Sequence, residues 1–445
     1  MDLQQILQHV GAESLTPMQQ EAYFRGLRGD SFVLLSPTGS GKTLAYLLPL
    51  CERCNAAADV LQSVVIVPSR ELAAQSEAFF LRMKTPLRSF CCHGGRSAMD
   101  EHRKLREICP QILFATPGRL LDHLGKGNID GKNVCMLVID EFDKCLELGF
   151  REEMAQVAAA LPHVGQIVLT SATDTVDIPG FIRSIAPSAA GGFGRIDFLS
   201  QTDVAGSRIC FSIVPSPCKD KLETLARLLS AIGEEQTIVF VAHRESADRV
   251  GSYLKKAGFY AEVYHGGMEQ EHRERALYKF RCGAAGALVA TDLAARGLDI
   301  PEVGAVVHYH LPADEAAFLH RSGRTARWQA HGSVYLIVGP GETVPPYLPP
   351  DTPVCDVARQ RVQPALPAWR PLYIGRGKRD KLSKSDIVGF LCKKGGLRAA
   401  QVGRIDVFAR HAYAAVERHS LRALLQAIAG EKIKGMKTLI EEMKR

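Results

Sequence analysis

Residues 32–43 read Phe32-Val33-Leu34-Leu35-Ser36-Pro37-Thr38-Gly39-Ser40-Gly41-Lys42-Thr43. Four apolar residues predict a buried strand, and the apolar stretch after Thr43 predicts a helix. The glycine-bearing turn between them lets backbone N–H groups surround an anion at the helix N-terminus. Ser36, Pro37, Thr38, Gly39, Ser40, Gly41, Lys42 and Thr43 are therefore a candidate phosphate cradle. Lys42 would meet the outer phosphates of a nucleotide and the Thr43 hydroxyl a Mg2+ ion. The strict pattern has Gly where this chain has Ser36.

Farther along, Ile139-Asp140-Glu141-Phe142-Asp143 ends another apolar run. An acidic residue at the carboxyl end of a parallel strand faces the same crevice as the phosphate loop. Asp140 suits a Mg2+ site and Glu141 could polarise an attacking water. Further short apolar runs surround these two, at 64–67, 112–115, 136–139 and 167–170. A second series follows at 238–241, 262–264, 287–290, 305–307 and 334–338, with helix-length segments such as 72–81 and 246–257 between runs. Continuous apolar strands separated by helices predict parallel sheets. The expected organisation is two α/β domains, 1–203 and 204–340. A Pro-rich linker or surface-hugging segment over 341–370 and a small domain over 371–445 complete it.

The 445 residues are 46% apolar and 23% charged, values of a globular chain rather than a disordered, collagenous or disulfide-scaffold one. No apolar run reaches the length of a membrane span, and the N-terminus has no basic region preceding an apolar core. Twelve scattered cysteines suit a reducing compartment, so the expected location is cytoplasmic. Cys51-x-x-Cys54 and Cys91-Cys92 read as packing, and the isolated histidines show no ligand-like spacing. The net charge is +7. From Tyr373 onward there are 17 Lys and Arg against 7 Asp and Glu, so the basic excess lies in the tail. A basic module on a near-neutral body predicts a polyanion partner.

The remaining motifs fall into one order: Gly11–Gln19 (GAESLTPMQ), Pro68–Ala73 (PSRELA), Gly94-Gly95, Thr116–Arg119 (TPGR), DEFD, then Ser171-Ala172-Thr173. After them come Gln270–Arg273, Ala290–Asp299 (ATDLAARGLD) and His320–Arg327 (HRSGRTAR). This series resembles the DEAD-box RNA helicases of superfamily 2, over about residues 10–340. The resemblance implies two tandem RecA-like parallel-sheet domains and an RNA-stimulated ATPase using ATP and Mg2+.

It also implies roles for the matching positions. Gln19 reads the adenine and Asp299 holds the ribose. Lys42, Asp140 and Glu141 serve catalysis, with Thr43 and Asp140 at the Mg2+. Arg324 and Arg327 act as arginine fingers. Asp143, Ser171, Thr173 and His320 couple ATP to RNA. Arg70, Gly95, Thr116, Arg119, Gly267, Arg273 and Thr291 line a sequence-tolerant path along the RNA backbone.

The chain departs from the family at several places. Phe142 stands where the family has a small Ala, so a bulky ring must be housed at the strand end. Asp2 stands where an aromatic residue would stack on adenine. Leu15 replaces a Pro, Ser69 a Thr, and His308-Tyr309-His310 the more usual Asn-Tyr-Asp.

The tail pattern reads βαββαβ, with strands from Leu372, at 403–408, 413–416 and 438–440, and helices at 384–391 and 421–429. That is the order of an RNA recognition motif. Its aromatic signature is thin: Tyr413 is present, but His411 stands where another ring is expected. GRGKRDKLSKSDIVGFLCKKGGL with VGRIDVFARHAYAAV resembles the tail of DbpA-type helicases, which implies binding to 23S-type ribosomal RNA and a role in large-subunit assembly. Lys378, Arg379, Lys381, Lys393, Lys394 and Arg404 are the candidate contacts. A general RNA-remodelling helicase and an RNA clamp with little turnover are the alternatives. No pattern forces self-association, so a monomer is expected.

Overall fold

Seven short strands build the first sheet: β1 (Phe32–Leu35), β2 (Ser63–Ile66), β3 (Ser89–Cys92), β4 (Ile112–Ala115), β5 (Met136–Ile139), β6 (Gln166–Ser171) and β7 (Gly194–Asp197). The computed structural model describes residues 2–37, 39–94, 98–174, 178–185, 193–199, 209–292, 303–325 and 332–443. The strand order is β3-β4-β2-β5-β6-β1-β7, and every pair is parallel. All residues of β1, β2, β4, β5 and β6 are buried. Helices cover both faces, so these strands read as unbroken apolar runs. The sequence pattern did not announce β3 or β7. Ser-Phe-Cys-Cys lacks β-branched residues, and Gly-Arg-Ile-Asp at the sheet edge buries only Ile196.

The second domain repeats the plan with β8 (Ile209–Pro215), β9 (Thr237–Phe240), β10 (Ala261–Tyr264), β11 (Ala287–Ala290), β12 (Ala305–His308) and β13 (Gly332–Val338). The order is β10-β11-β9-β12-β13-β8, again parallel throughout. The Pro-rich stretch hugs this domain. Ile213 N donates to Pro353 O at 2.9 Å and Cys355 N to Ile213 O at 2.8 Å, which adds one bridge to the edge strand β8. Val357 packs into the core of this domain, and Leu348 is buried as well.

The tail contains β14 (Trp369–Ile374), β15 (Val402–Val407), β16 (Ala412–Glu417) and β19 (Ile440–Glu442) in the order β15-β16-β14-β19, all antiparallel. Helices Lys384–Lys393 and Leu421–Ala427 complete the βαββαβ order. Two expectations shift. β14 begins at Trp369, inside the stretch expected to be linker. The last strand begins at Ile440 rather than 438, because a hairpin of β17 (Lys432–Ile433) and β18 (Met436–Lys437) precedes it. Its turn residues Lys434 and Gly435 both have positive φ, the geometry a two-residue hairpin requires. The chain divides into two compact units, one built up to β7 and the other from β8 onward, with the tail in the second.

Candidate functional site

In the first domain β5, β6 and β1 are neighbours, so the segments leaving their carboxyl ends converge. Those segments begin at Asp140, end at Ser171 and begin at Ser36. Gly39 and Gly41 adopt φ +81° and +89°, conformations open to glycine. Lys42 opens the helix Lys42–Arg53, and its Nζ donates to the carbonyls of Ser36 at 2.5 Å and Pro37 at 2.8 Å. Gln19 approaches from the helix Pro17–Arg28. Its Oε1 accepts from Thr16 N in a capping box, while its Nε2 donates to Gly41 O at 3.2 Å. Thr38 lies outside the described residues.

Asp140 is buried and fully engaged. Its Oδ1 accepts from Thr170 Oγ1 at 2.5 Å and from Glu141 N at 3.1 Å, and its Oδ2 accepts from Tyr46 OH at 3.1 Å. Burial and the adjacent Asp140 push the Tyr46 hydroxyl pKa well above its ordinary value, so it stays a donor. Glu141 sits at φ +49°, ψ +51° and caps the helix Phe142–Glu147. Phe142 has no exposed surface and packs in the core cluster that contains Leu35, Ile66, Ile139 and Cys145. The bulky ring is therefore housed beneath the strand ends. Asp143 Oδ2 accepts from Thr173 Oγ1 at 3.2 Å, and Ser171 Oγ donates to Thr173 O at 2.8 Å. Burial raises the Asp143 pKa, opposed by Lys144 and Lys42.

The basic residues of the first domain are held just as firmly. Arg70 starts the helix Arg70–Arg82, capped by Ser69, and its guanidinium lies against Gly94. Thr116 precedes the helix Pro117–Gly125, and its N–H donates to Cys92 O at 3.3 Å. Arg119 Nε lies 3.3 Å from Glu101 Oε2, leaving its side chain 14% exposed. Gly95 lies outside the described residues.

In the second domain Gly267 N donates to His265 Nδ1 at 3.2 Å, and Thr291 N to Tyr264 O at 3.4 Å. Arg273 is 6% exposed and donates to Tyr264 OH at 3.0 Å. His320 and Arg324 are buried at and just beyond the end of the helix Glu315–Ser322. Asp299 and Arg327 lie outside the described residues. Sequence reasoning gave no role to Arg321. This residue grips both oxygens of Asp292, at 2.5 and 2.9 Å, donates to His310 O at 3.0 Å and covers the Phe240 ring. The signal was the pairing of an Asp and an Arg from two motifs. His308 is fully buried between Phe318 and Phe240, with neither ring nitrogen hydrogen-bonded, and burial drives its pKa well down.

In the tail Lys378 and Arg379 lie in a single turn, with Lys381 just after it, and Lys393 ends a helix. Lys394 pairs with Glu431 at 3.2 Å and Arg404 with Asp406 at 2.9 Å. The aromatic face is not open. Tyr413 is 2% exposed, its ring tilted 43° against that of Tyr278 of the second domain at 4.9 Å, and Cys282 and Met443 join the same cluster. Tyr278 OH donates to Arg404 O at 2.7 Å. On the other side Tyr260 lies between Arg370 and Arg418, each 5.1 Å from its ring. Arg404, expected at an RNA contact, thus stands at the seam between the tail and the second domain.

A phosphate-bound Mg2+ fits the first-domain residues. Ser40 Oγ is buried in the loop without a hydrogen-bond partner, and the two glycines keep side chains off the cradle. The Asp140 carboxylate lies at a neighbouring strand end, oriented by Thr170, Tyr46 and the N–H of Glu141. Among the described residues no helix is long and apolar enough to cross a membrane.

Three family models match: DEAD/DEAH box helicase over residues 16–178, helicase conserved C-terminal domain over 220–329, and DbpA RNA binding domain over 371–442. The ATP-dependent RNA helicase DbpA of Escherichia coli is 32% identical over 443 residues, 96% of this chain and 94% of that one. The DEAD-box ATP-dependent RNA helicase CshA of Bacillus cereus is 34% identical over 343 residues, 77% of this chain. That alignment spans 64% of CshA. Among solved structures, Mss116p bound to ssRNA and AMP-PNP superposes with a TM-score of 0.67 at 26% identity, covering 76% of this chain and 73% of that one. Saccharomyces cerevisiae Dbp5 bound to RNA and ADP BeF3 gives 0.60 at 26%, covering 75% and 89%. With the motor motifs on two parallel sheets and the third family model on the tail, the chain belongs to the DEAD-box RNA helicases and carries a tail of the DbpA type.

Proposed function

We propose that the chain is an ATP-dependent RNA helicase that remodels 23S-type ribosomal RNA during large-subunit assembly, as a cytoplasmic monomer. The observation that carries the motor is the convergence of the Ser36–Thr43 loop, Asp140–Asp143 and Ser171–Thr173 on three neighbouring strand ends. ATP phosphates would enter the loop, and the Lys42 ammonium would exchange its two loop carbonyls for phosphate oxygens. Gln19, already bonded to the loop through Gly41 O, would read the adenine, and Asp299 would hold the ribose. Thr43 and Asp140 would hold Mg2+, which supplies charge neutralisation between the outer phosphates. Glu141 would orient the attacking water. Closure of the two domains would bring Arg324 and Arg327 to the charge developing on the γ-phosphate.

Asp143, Ser171 and Thr173 form one hydrogen-bonded chain running from the acidic motif to the end of β6. With His320 they would transmit closure to the RNA path of Arg70, Gly95, Thr116, Arg119, Gly267, Arg273 and Thr291. Arg273 would act through Tyr264, since its guanidinium is buried on that ring. A strand bent in this path would lose its complement, and hydrolysis would reopen the cleft. Phe142 is buried in the core while Asp140 is held by Thr170 and Tyr46, which favours turnover over a static clamp.

The tail would choose the RNA through Lys378, Arg379, Lys381, Lys393 and Lys394. The test is the ATPase rate without RNA, with mRNA-like RNA and with large-subunit ribosomal RNA. Stimulation selective for ribosomal RNA is expected. Equal stimulation by both RNAs would remove the ribosomal assignment and leave a general helicase. Replacing Lys378, Arg379 and Lys381 by Glu should abolish the selectivity and spare RNA-free turnover. This triple variant is cleaner than truncation, which would uncover Tyr278 and Cys282.

A further inference from the structure

Behind the RNA-path residues of the first domain lie three buried side chains from three elements. Cys92 ends β3, Glu101 lies on the helix Ala98–Ile108, and His123 lies on the helix Pro117–Gly125. One donor atom of each, a thiol sulfur, a carboxylate oxygen and a ring nitrogen, lies within 4.8 Å of the other two. His123 Nε2 is already 3.1 Å from Glu101 Oε2. We propose that Cys92, Glu101 and His123 form a site for a thiolate-tolerant divalent cation of the zinc class.

The donor set selects the ion. Sulfur, nitrogen and oxygen together suit zinc, whereas Mg2+ and Ca2+ take oxygen alone. Burial keeps bulk water from competing. The outer partners that orient ligands are also present. Asn128 hydrogen-bonds His123 Nδ1 at 3.1 Å, and with the cation on Nε2 the amide turns over to accept from Nδ1–H. The second oxygen of Glu101 accepts from His93 N at 3.3 Å, which fixes the carboxylate plane. Three protein donors leave the fourth tetrahedral place to a water or small ligand.

The site has a consequence for RNA that rests on the function proposed above. Arg119 Nε lies 3.3 Å from the same Glu101 oxygen that the cation would take. That oxygen already meets both Arg119 and His123, so a cation bound to it would compete with the guanidinium and loosen Arg119 from Glu101, leaving Asp122 at 3.7 Å as its acidic neighbour. By linkage, RNA that draws Arg119 away tightens the cation.

The experiment uses the full chain, stripped with a chelator, equilibrated with Zn2+ and desalted before metal counting. About one equivalent retained is expected, and Co2+ in its place should give a thiolate-to-metal charge-transfer band. Cys92→Ser should lose both the metal and the band, Glu101→Gln should weaken retention while keeping the thiol, and Cys218→Ser, an exposed position, should change neither. No retained zinc, or retention unchanged in both Cys92→Ser and Glu101→Gln, overturns the site. Anisotropy with a single-stranded RNA should show binding roughly fivefold tighter or more in the zinc-loaded chain, a difference absent in Arg119→Gln. Zinc retained with equal RNA affinity overturns the link to Arg119. Zinc retained by a chain that binds no RNA in either state overturns the helicase reading and leaves the site standing.

Discussion

Glu141 holds a left-handed backbone conformation that residues with a Cβ adopt at a cost of about 1–3 kcal/mol. The bond from its N–H to Thr170 Oγ1, at 3.1 Å, and the carboxylate of Asp140 keep it there. Glu141→Gln preserves this frame and removes the negative charge. Single-turnover assays should show ATP still bound and hydrolysis reduced by about a hundredfold or more. Phe142→Ala leaves a cavity under the same strand ends. Urea unfolding of the first domain should show a loss of about 3–5 kcal/mol, although Ala is the smaller residue the family pattern prefers. At this scale the phosphate loop and the acidic motif were legible, because their chemistry lies in a few consecutive residues. The buried trio of Cys92, Glu101 and His123 was not. Its members are separated by other elements, and only the parallel sheet brings them together.

Among the elements, strands enclosed on both faces could be read directly, whereas of the edge strands of the two parallel sheets only β10 was, at 262–264. β1, β2, β4, β5 and β6 are apolar along their length, while β7 exposes Arg195 and Asp197 in an edge position. The His-Tyr-His at the end of β12 shows the same limit, since its meaning depends on neighbours from other elements. His310 Nδ1 accepts from Ala242 N at 3.1 Å, and its carbonyl accepts from Arg321. Burial, then Lys221, His243 and Arg321, lower its pKa, with Glu342 opposing. A histidine whose folded pKa lies below its unfolded value stabilises the fold when neutral. That contribution is complete above the ordinary imidazole range and is lost as pH falls toward the folded pKa. His310→Asn keeps an acceptor and cannot be protonated. Acid unfolding of the second domain should therefore begin at lower pH in this variant, while His308 continues to titrate.

For the whole molecule, charge was the most legible property. The basic excess marked the tail as a polyanion-binding module before any strand was assigned. The salt dependence of RNA binding measures this directly. Removing one Lys or Arg that neutralises a phosphate should flatten the log–log slope by about 0.7 for single-stranded RNA, so replacing Lys378, Arg379 and Lys381 by Gln should flatten it by about 2. What the pattern concealed was where the tail ends. Tyr278 and Tyr413 are distant in sequence, and their tilted ring contact covers a face that an RNA recognition motif leaves open. A double-mutant cycle with both tyrosines changed to Ala should give a coupling of about 1 kcal/mol.

That pairing changes what can be moved between proteins. A swap that grafts residues 371–445 onto another helicase carries Tyr413 without Tyr278, and Arg370 stays behind with Tyr260. The heritable unit is therefore discontinuous: the tail together with a patch of the motor around Tyr260, Tyr278 and Cys282. Exchange at the obvious linker cuts through it, and drift at either half constrains the other.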